Sequence, residues 1–532
     1  MTKSATPLNP WLRRWHNYRS RSEWFIRWLG LPCFEGPPGL ILIQIDGLSR
    51  SQLEHALARH KMPFLKRLLG RGYCLHHHYS GLPATTPACQ GQLFYGVPQA
   101  VPAFSFRDFD TGEMVRMYEP GPAKAVEARL RQSSHTPLLT GGSAYVDNFT
   151  GGAAEVHFCP AAIGWGPPLR GAPGWIVGLF VLFHLPSILR LSALLVIELG
   201  LAIVDFLRGI IDGQDFFKEL KFIPTRVGIV ILLRELSVIG ARLDATRGLP
   251  VIHMNLLGYD EQAHRRGPDS LFAHWTLKGI DAAIGRIYRA SSSSHRRHYQ
   301  VWIYSDHGQE RVIPYVEKYG RHLDEAVSAL FEELGLPVDL QADVGKGIQT
   351  LRIRWFGGRR IQRLFPVNDD DIGGAGSATL TALGPVGHLY LGPDLDQNQY
   401  RRIASGLVDQ AGVPLVLVRE GKGLCAWTTE GRFRLPEQVT ELFGADHPWL
   451  QYLAQDWLEL CHHRDAGDFV LVGWRHGVQA ISFAVENGAH AGATPNETSA
   501  FALLPENALQ TEADHLTTHD LRIAALKFLQ RP

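Results

Sequence analysis

The sequence predicts an α/β protein: a doubly wound, mostly parallel sheet carrying a helical apolar insertion and small α+β accessory regions. Three observations predict it. Several Ile, Leu and Val runs bounded by Gly or Pro lack polar alternation, the pattern of strands buried on both faces. Helical periodicity follows the first run over 51–69 and recurs over 270–290, so strand, loop and helix alternate as parallel α/β units require. Asp46, Asp260 and Asp306 lie just past such runs, where active residues collect in open α/β sheets.

Composition sets outer limits. At 532 residues the chain has room for about two to four domain-sized units or one large core with insertions. The net charge of +1 gives no global field for nucleic acid, and no nucleic-acid-binding module is expected. Six cysteines (33, 74, 89, 159, 425, 461) are scattered without a CxxC, which favours free, packed thiols in a reducing compartment. The first ten residues show no apolar signal core, so no cleavable signal peptide is expected. The expected location is the cytoplasm, or the cytoplasmic membrane face as a peripheral or monotopic protein.

The elements follow in order. Residues 1–36 are a Trp/Arg-rich amphipathic segment, with Trp11, Trp15, Trp24 and Trp28 among Arg13, Arg14, Arg19, Arg21 and Arg27. Such a mixture suits a membrane interface, and equally a helix packed on the protein's own surface. The catalytic core is read as 37–104, 246–310 and 468–532. An insertion, 105–245, contains the apolar 175–211 stretch, interrupted only by Arg190, Glu198, Asp205 and Arg208. Pro186 and Arg190 split it into halves shorter than the roughly 20 residues a spanning helix needs. Candidate site residues also lie on both sides of it, so a single crossing would divide the site. An in-plane or shallow hairpin insertion is favoured, a buried or dimer-interface helical pair comes next, and a two-pass hairpin last. A second insertion, 311–467, returns to the sheet near 386–391.

The candidate chemistry is metal-centred. Asp260 and His264, four apart on a helical turn, share one face and can grip one ion. Asp306 and His307 are neighbours able to face two ions. Asp46 adds a carboxylate, and His490 lies in the small-residue loop Gly488-Ala-His490-Ala-Gly492, where backbone can approach closely. Mixed carboxylate and imidazole ligation suits two divalent ions, zinc first and manganese as the alternative. Thr86 in Pro83-Ala-Thr85-Thr86-Pro87 is the candidate nucleophile, itself a metal ligand, because a threonine hydroxyl needs an activating ion near neutral pH. Thr85 is the rival. His253 and His388 read as packed residues, and His76-His77-His78 as a solvated loop.

These pieces, Ile45-Asp46-Gly47, Pro83-Ala-Thr-Thr86-Pro87-Ala88, Asp260-Glu-Gln-Ala-His264-Arg-Arg-Gly-Pro268, Ser305-Asp306-His307-Gly308 and His490-Ala-Gly492, stand in the order found in the alkaline phosphatase superfamily. The chain resembles its type I phosphodiesterase/nucleotide pyrophosphatase branch over about a third of its length. The resemblance implies an alkaline-phosphatase-like core. It also implies that Asp46, Thr86, Asp306 and His307 surround the ion that activates the nucleophile, and that Asp260, His264 and His490 hold the second. The expected reaction is phosphoric ester hydrolysis through a phosphothreonine, on a lipid-like or membrane-proximal substrate. One alternative is a soluble nucleotide pyrophosphatase whose apolar segment forms a homodimer interface. The other is an inactive membrane-attached binding protein. Pro87 departs from the branch, which often shows Thr-Phe-Pro-Asn. Its phosphate-binding Asn has no placed counterpart; Arg107 and Asn148 are the candidates, with a structural role the default for each. The Cys or Ser motif of sulfatases is missing, which disfavours sulfate ester hydrolysis.

Overall fold

The computed structural model describes residues 21–133, 136–162, 228–336, 338–344, 378–391, 395–509 and 515–531, together with seven positions between 185 and 203. Most of the apolar 175–211 stretch and residues 1–20 lie outside that set.

The strands are β1 (Gly39–Ile45), β2 (Tyr73–Tyr79), β3 (Ser143–Tyr145), β4 (Glu155–His157), β5 (Val251–Leu256), β6 (Tyr299–Tyr304), β7 (Leu340–Asp343), β8 (Ala378–Thr381), β9 (Val386–Tyr390), β10 (Leu415–Glu420), β11 (Gly423–Thr428), β12 (Gly431–Leu435), β13 (Phe469–Val472), β14 (Ser499–Pro505) and β15 (His515–Thr517). The main helices are α1 (Arg21–Leu29), α2 (Arg50–Ala58), α3 (Pro63–Leu69), α4 (Thr86–Tyr95), α5 (Pro120–Ser133), α6 (Arg234–Arg247), α7 (Gly258–Arg266), α8 (Leu271–Ser293), α9 (Leu323–Glu333), α10 (Gln397–Asp409), α11 (Leu450–His462) and α12 (Thr518–Phe528).

The larger sheet has eight strands in the order β15-β2-β14-β6-β1-β5-β3-β4. All its neighbouring pairs are parallel except the two made by β14, with β2 and β6. Its centre explains why apolar runs read as strands. Every residue of β1 is buried, and successive side chains alternate between faces. Ile41, Ile43 and Ile45 pack on one side with residues of α2, α3, α6, α7 and α8. Leu40 and Leu42 pack on the other with α4, α5 and α12. Helices therefore cover both faces, as the expected doubly wound sheet requires.

The second sheet has seven strands in the order β7-β8-β9-β13-β10-β11-β12. One face packs on α9 and α10 through Leu389, Phe469, Val327 and Leu407. The other packs on α11 through Leu415, Val470, Leu453 and Trp457. Two differences from the sequence reading arise here. Residues 386–391 and 469–472 do not return to the larger sheet; strands β9 and β13 pair with each other in the second one. An apolar period reports burial, and β9 and β13 are as fully buried in the second sheet as β1 is in the first. Conversely β3 and β4, inside the span read as insertion, extend the larger sheet; three residues each are too short to show a period.

Helix α1 packs on the body of the protein. Phe25 and Ile26 are buried, and Glu23 accepts from Arg296, with Nη2 at 3.0 Å. Among the described residues, no helix is long and apolar enough to cross a membrane. All six cysteines are free.

Candidate metal centre

Strand directions assemble the site. β6, β1 and β5 are adjacent and parallel, so the residues following them, Asp306-His307, Asp46 and the α7 pair Asp260 and His264, emerge at one sheet edge. β2 ends at that edge too, because it and β6 both run opposite to β14. It leads through Ser80–Pro83 to the start of α4 and Thr86. β14 starts where the others end, so the loop preceding it carries His490 to the same place. His490 follows the two-residue strand Gly488–Ala489, which pairs with Glu310–Arg311.

All seven predicted residues meet. Thr86 Oγ1 lies 2.7 Å from Asp306 Oδ2, 3.2 Å from Asp46 Oδ1 and 3.3 Å from His307 Nε2. Asp260 Oδ2 is 3.4 Å from His264 Nε2, and its Oδ1 is 3.8 Å from His490 Nε2. The rings of His307 and His490 stack at 3.9 Å and join the two halves. Ligand atoms of Asp46, Asp306 and His307 lie within 4.8 Å of one another, as do those of Asp260, His307 and His490. The close approach depends on Gly47 (φ +68°), where a Cβ would stand 2.5 Å from Asp260 Oδ1. Thr85 caps α4, and its buried hydroxyl has no hydrogen-bond partner. Thr86 is the threonine that faces the carboxylates.

Electrostatics fit a cation. Burial, together with Asp306 and Asp260, raises the Asp46 carboxyl well above its ordinary value. Burial also pushes Asp306 up to about 7, against its hydrogen bond from Thr86. Burial opposes ionisation of Asp260 as well, but His264, His490 and His307 overcome it and hold that carboxyl low. Burial lowers His307 to about 4, and burial with the neighbouring His307 lowers His490 to about 3. Burial alone would lower His264, yet Asp260 and Glu486 raise it. Crowded carboxylates that resist ionisation, and the neutral imidazoles of His307 and His490 with their free lone pairs, are what divalent ions relieve and use. The donor set therefore fits two ions.

A shell of partners that sequence reading missed orients six of the seven side chains. Asn255 Nδ2 donates to Asp46 Oδ2 at 2.7 Å, Gln44 Nε2 to Asp306 Oδ2 at 2.6 Å, and Gln309 Nε2 to Asp260 Oδ1 at 2.5 Å. His307 Nδ1 meets Gly308 O and His490 Nδ1 meets Ala84 O, each at 2.9 Å. His264 Nδ1 meets Glu486 Oε2 at 2.8 Å and Gly488 O at 3.0 Å. Nδ1 is engaged in all three imidazoles, so each turns Nε2 to the cluster. A signal for two of these existed: Gln44 and Asn255 are amides inside otherwise apolar strands. Gln44 also accepts from Gln90 Nε2 at 3.1 Å and Tyr304 Oη at 3.2 Å. Beyond it His253 bridges Tyr304 and Asp147, a packed role as expected.

Other candidates lie apart. Arg107 Nε donates to Gly112 O, and Asn148 Nδ2 to Met117 O, both 3.1 Å; these are structural contacts. His388 is buried between Pro102 O and Gly467 N. His78 is not in a solvated loop: it is buried in β2 and reaches Ser305 O at 2.9 Å. A further group, Glu155, His157 and Asp244, also has metal-like spacing. There Arg247 bonds Glu155 at 2.6 Å and Asp244 at 3.1 Å, and its guanidinium supplies the cation.

No family model matches the chain, and no curated protein matches it. Among solved structures, the chain is similar to phosphonoacetate hydrolase from Sinorhizobium meliloti 1021 in complex with phosphonoformate. Identity there is 15% over 94% of this chain and 97% of that chain, with a TM-score of 0.47. The same hydrolase in complex with phosphonoacetate gives 14% identity, the same coverage and a TM-score of 0.44. An inactive form of murine ectonucleotide pyrophosphatase/phosphodiesterase 5 in complex with AMP gives 10% identity, coverage of 93% and 96%, and a TM-score of 0.44.

Proposed function

We propose that the protein is a two-metal phosphoric ester hydrolase of the phosphodiesterase type, acting through a phosphothreonine. The observation that carries this reading is the convergence of Asp46, Asp306 and His307 on Thr86 Oγ1, with Asp260, His264 and His490 against them. Asp46, Thr86, Asp306 and His307 would hold one ion, and Asp260, His264 and His490 the other. When bound, the ions supply Lewis acidity that neutralises phosphoryl charge and eases ionisation of a hydroxyl.

The chain's own groups account for the rest. Thr86 Oγ1 releases its proton toward Asp306 Oδ2 at 2.7 Å and attacks phosphorus; the P–O bond to the leaving group breaks, giving alcohol and phosphothreonine. Water then displaces Thr86 from phosphorus and restores the hydroxyl. Thr86 begins the ten-residue α4, whose positive end favours an anionic group there. His264, His490 and Asp260 are the more accessible side chains, 24%, 12% and 11% exposed against 4% or less for Asp46, Asp306 and His307, so substrate approaches from the side of the second group. Among the described residues, no lysine or arginine pairs with Asp46, Asp260 or Asp306. A diester, with one non-bridging charge, suits that site better than a monoester dianion.

A membrane-proximal substrate is the finer reading. Leu185, Leu189, Val196 and Ile203 are helical positions and 42–69% exposed, large apolar side chains of the kind a lipid surface covers.

Thr86→Ala tests the mechanism. It should cut turnover of an aryl phosphodiester by several orders of magnitude, on the order of 4 kcal/mol or more, and leave metal content unchanged. Full activity in this variant, with loss in Thr85→Ala, would overturn the assignment.

A further inference from the structure

We infer that Glu486 is a positioning residue for the second metal, holding His264 with Nε2 turned inward and lending negative charge to its imidazole. The inference rests on the two-metal reading above and deepens it. A carboxylate only accepts, so the 2.8 Å contact from His264 Nδ1 to Glu486 Oε2 puts the proton on Nδ1. Nε2, 3.4 Å from Asp260 Oδ2, is then the nitrogen that faces an ion. Glu486 is itself held: Ser482 Oγ donates to its Oε1 at 2.5 Å. Its loop is tied to α7 by Asn487, whose backbone N–H reaches His264 O at 2.8 Å and whose Nδ2 reaches Arg265 O at 2.9 Å.

The asymmetry with the other histidines is the reason to single it out. His307 and His490 face backbone carbonyls; only His264 of the three faces a side-chain carboxylate. The first metal group also contains two carboxylates, Asp46 and Asp306, whereas Asp260 is the only one in the second. A carboxylate behind an imidazole raises its basicity as a ligand. Glu486 therefore supplies the second ion, through His264, with charge that the first ion receives directly.

Zinc binding to the full chain, followed by chelator competition, tests this apart from turnover. Glu486→Gln keeps the shape and removes the charge. One of two zinc equivalents should weaken about 10–100-fold, with the other unchanged and the melting temperature of the metal-free protein unmoved. Ser482→Ala should weaken the same equivalent to a smaller extent. The inference is overturned if Glu486→Gln binds both equivalents as tightly as the wild type, or if both weaken together and the metal-free protein melts earlier. Failure of the wild type to take up zinc or manganese would instead remove the two-metal reading, and this inference with it.

Discussion

Asp456 shows how one side chain outside the cluster bears on the catalytic turn. Its Oδ2 accepts from Tyr79 Oη at 2.5 Å and from the Leu82 N–H at 3.1 Å, at the start of the turn leading to Thr86. Burial pushes this carboxyl up from 3.8 to about 6. Below about pH 4 both folded and unfolded chains carry the proton, and burial costs nothing. Between about pH 4 and 6 the unfolded chain ionises first, so stability falls as pH rises, and the cost is complete above 6. Asp456→Asn removes that cost. The variant's advantage over wild type should grow from pH 4 to 7 by on the order of 2 kcal/mol, after allowance for partial solvent access, read from urea unfolding. A difference independent of pH would defeat the assignment. At this scale the sequence was legible where chemistry is distinctive. Asp46, Asp306 and His307 stand out as a set, because each alone is an ordinary cap or loop residue but their order and strand-end placement recur together. Gln309 and Glu486 stayed hidden, because an amide or glutamate in a loop looks the same whether it is solvated or orients a ligand.

Among elements, the short helix α3 depends on a cap borrowed from another helix. Pro63 begins it, and the next two N–H groups, of Phe64 and Leu65, both donate to Asp281 on α8, at 2.9 Å from its nearest oxygens. Asp281 is 4% exposed, so its removal leaves two buried donors without an acceptor. Asp281→Ala should cost about 1–3 kcal/mol in unfolding free energy, measured by chemical denaturation, with little effect on zinc affinity. A cost near zero would mean that water replaces the carboxylate. No local pattern near Pro63 announces this cap, since its acceptor lies more than two hundred residues away. The long buried strands were legible for the opposite reason: β1, β5 and β6 each carry their own apolar signature. Which sheet a strand joins is a pairing property, and that is why 386–391 and 469–472 were assigned to the wrong sheet.

At the scale of the whole molecule, the membrane-proximal reading can be tested directly. If Leu185, Leu189, Val196 and Ile203 meet lipid, the intact chain should float with anionic liposomes. Replacing those four residues by Glu should abolish flotation and leave turnover of a soluble aryl diester unchanged. An intact chain that stays at the bottom of the gradient sinks the membrane-proximal reading and favours a freely diffusing substrate.

The position of β14 reaches beyond catalysis. This strand, Ser499–Pro505, sits between β2 and β6, and the loop before it delivers His490. A growing chain on the ribosome has therefore made the threonine and all three aspartates long before it can close the gap between those two strands. Premature termination anywhere upstream of residue 499 should yield an inert, aggregation-prone fragment rather than a weakened enzyme. In a nascent chain the Asp/His cluster therefore stays incomplete until this late strand emerges.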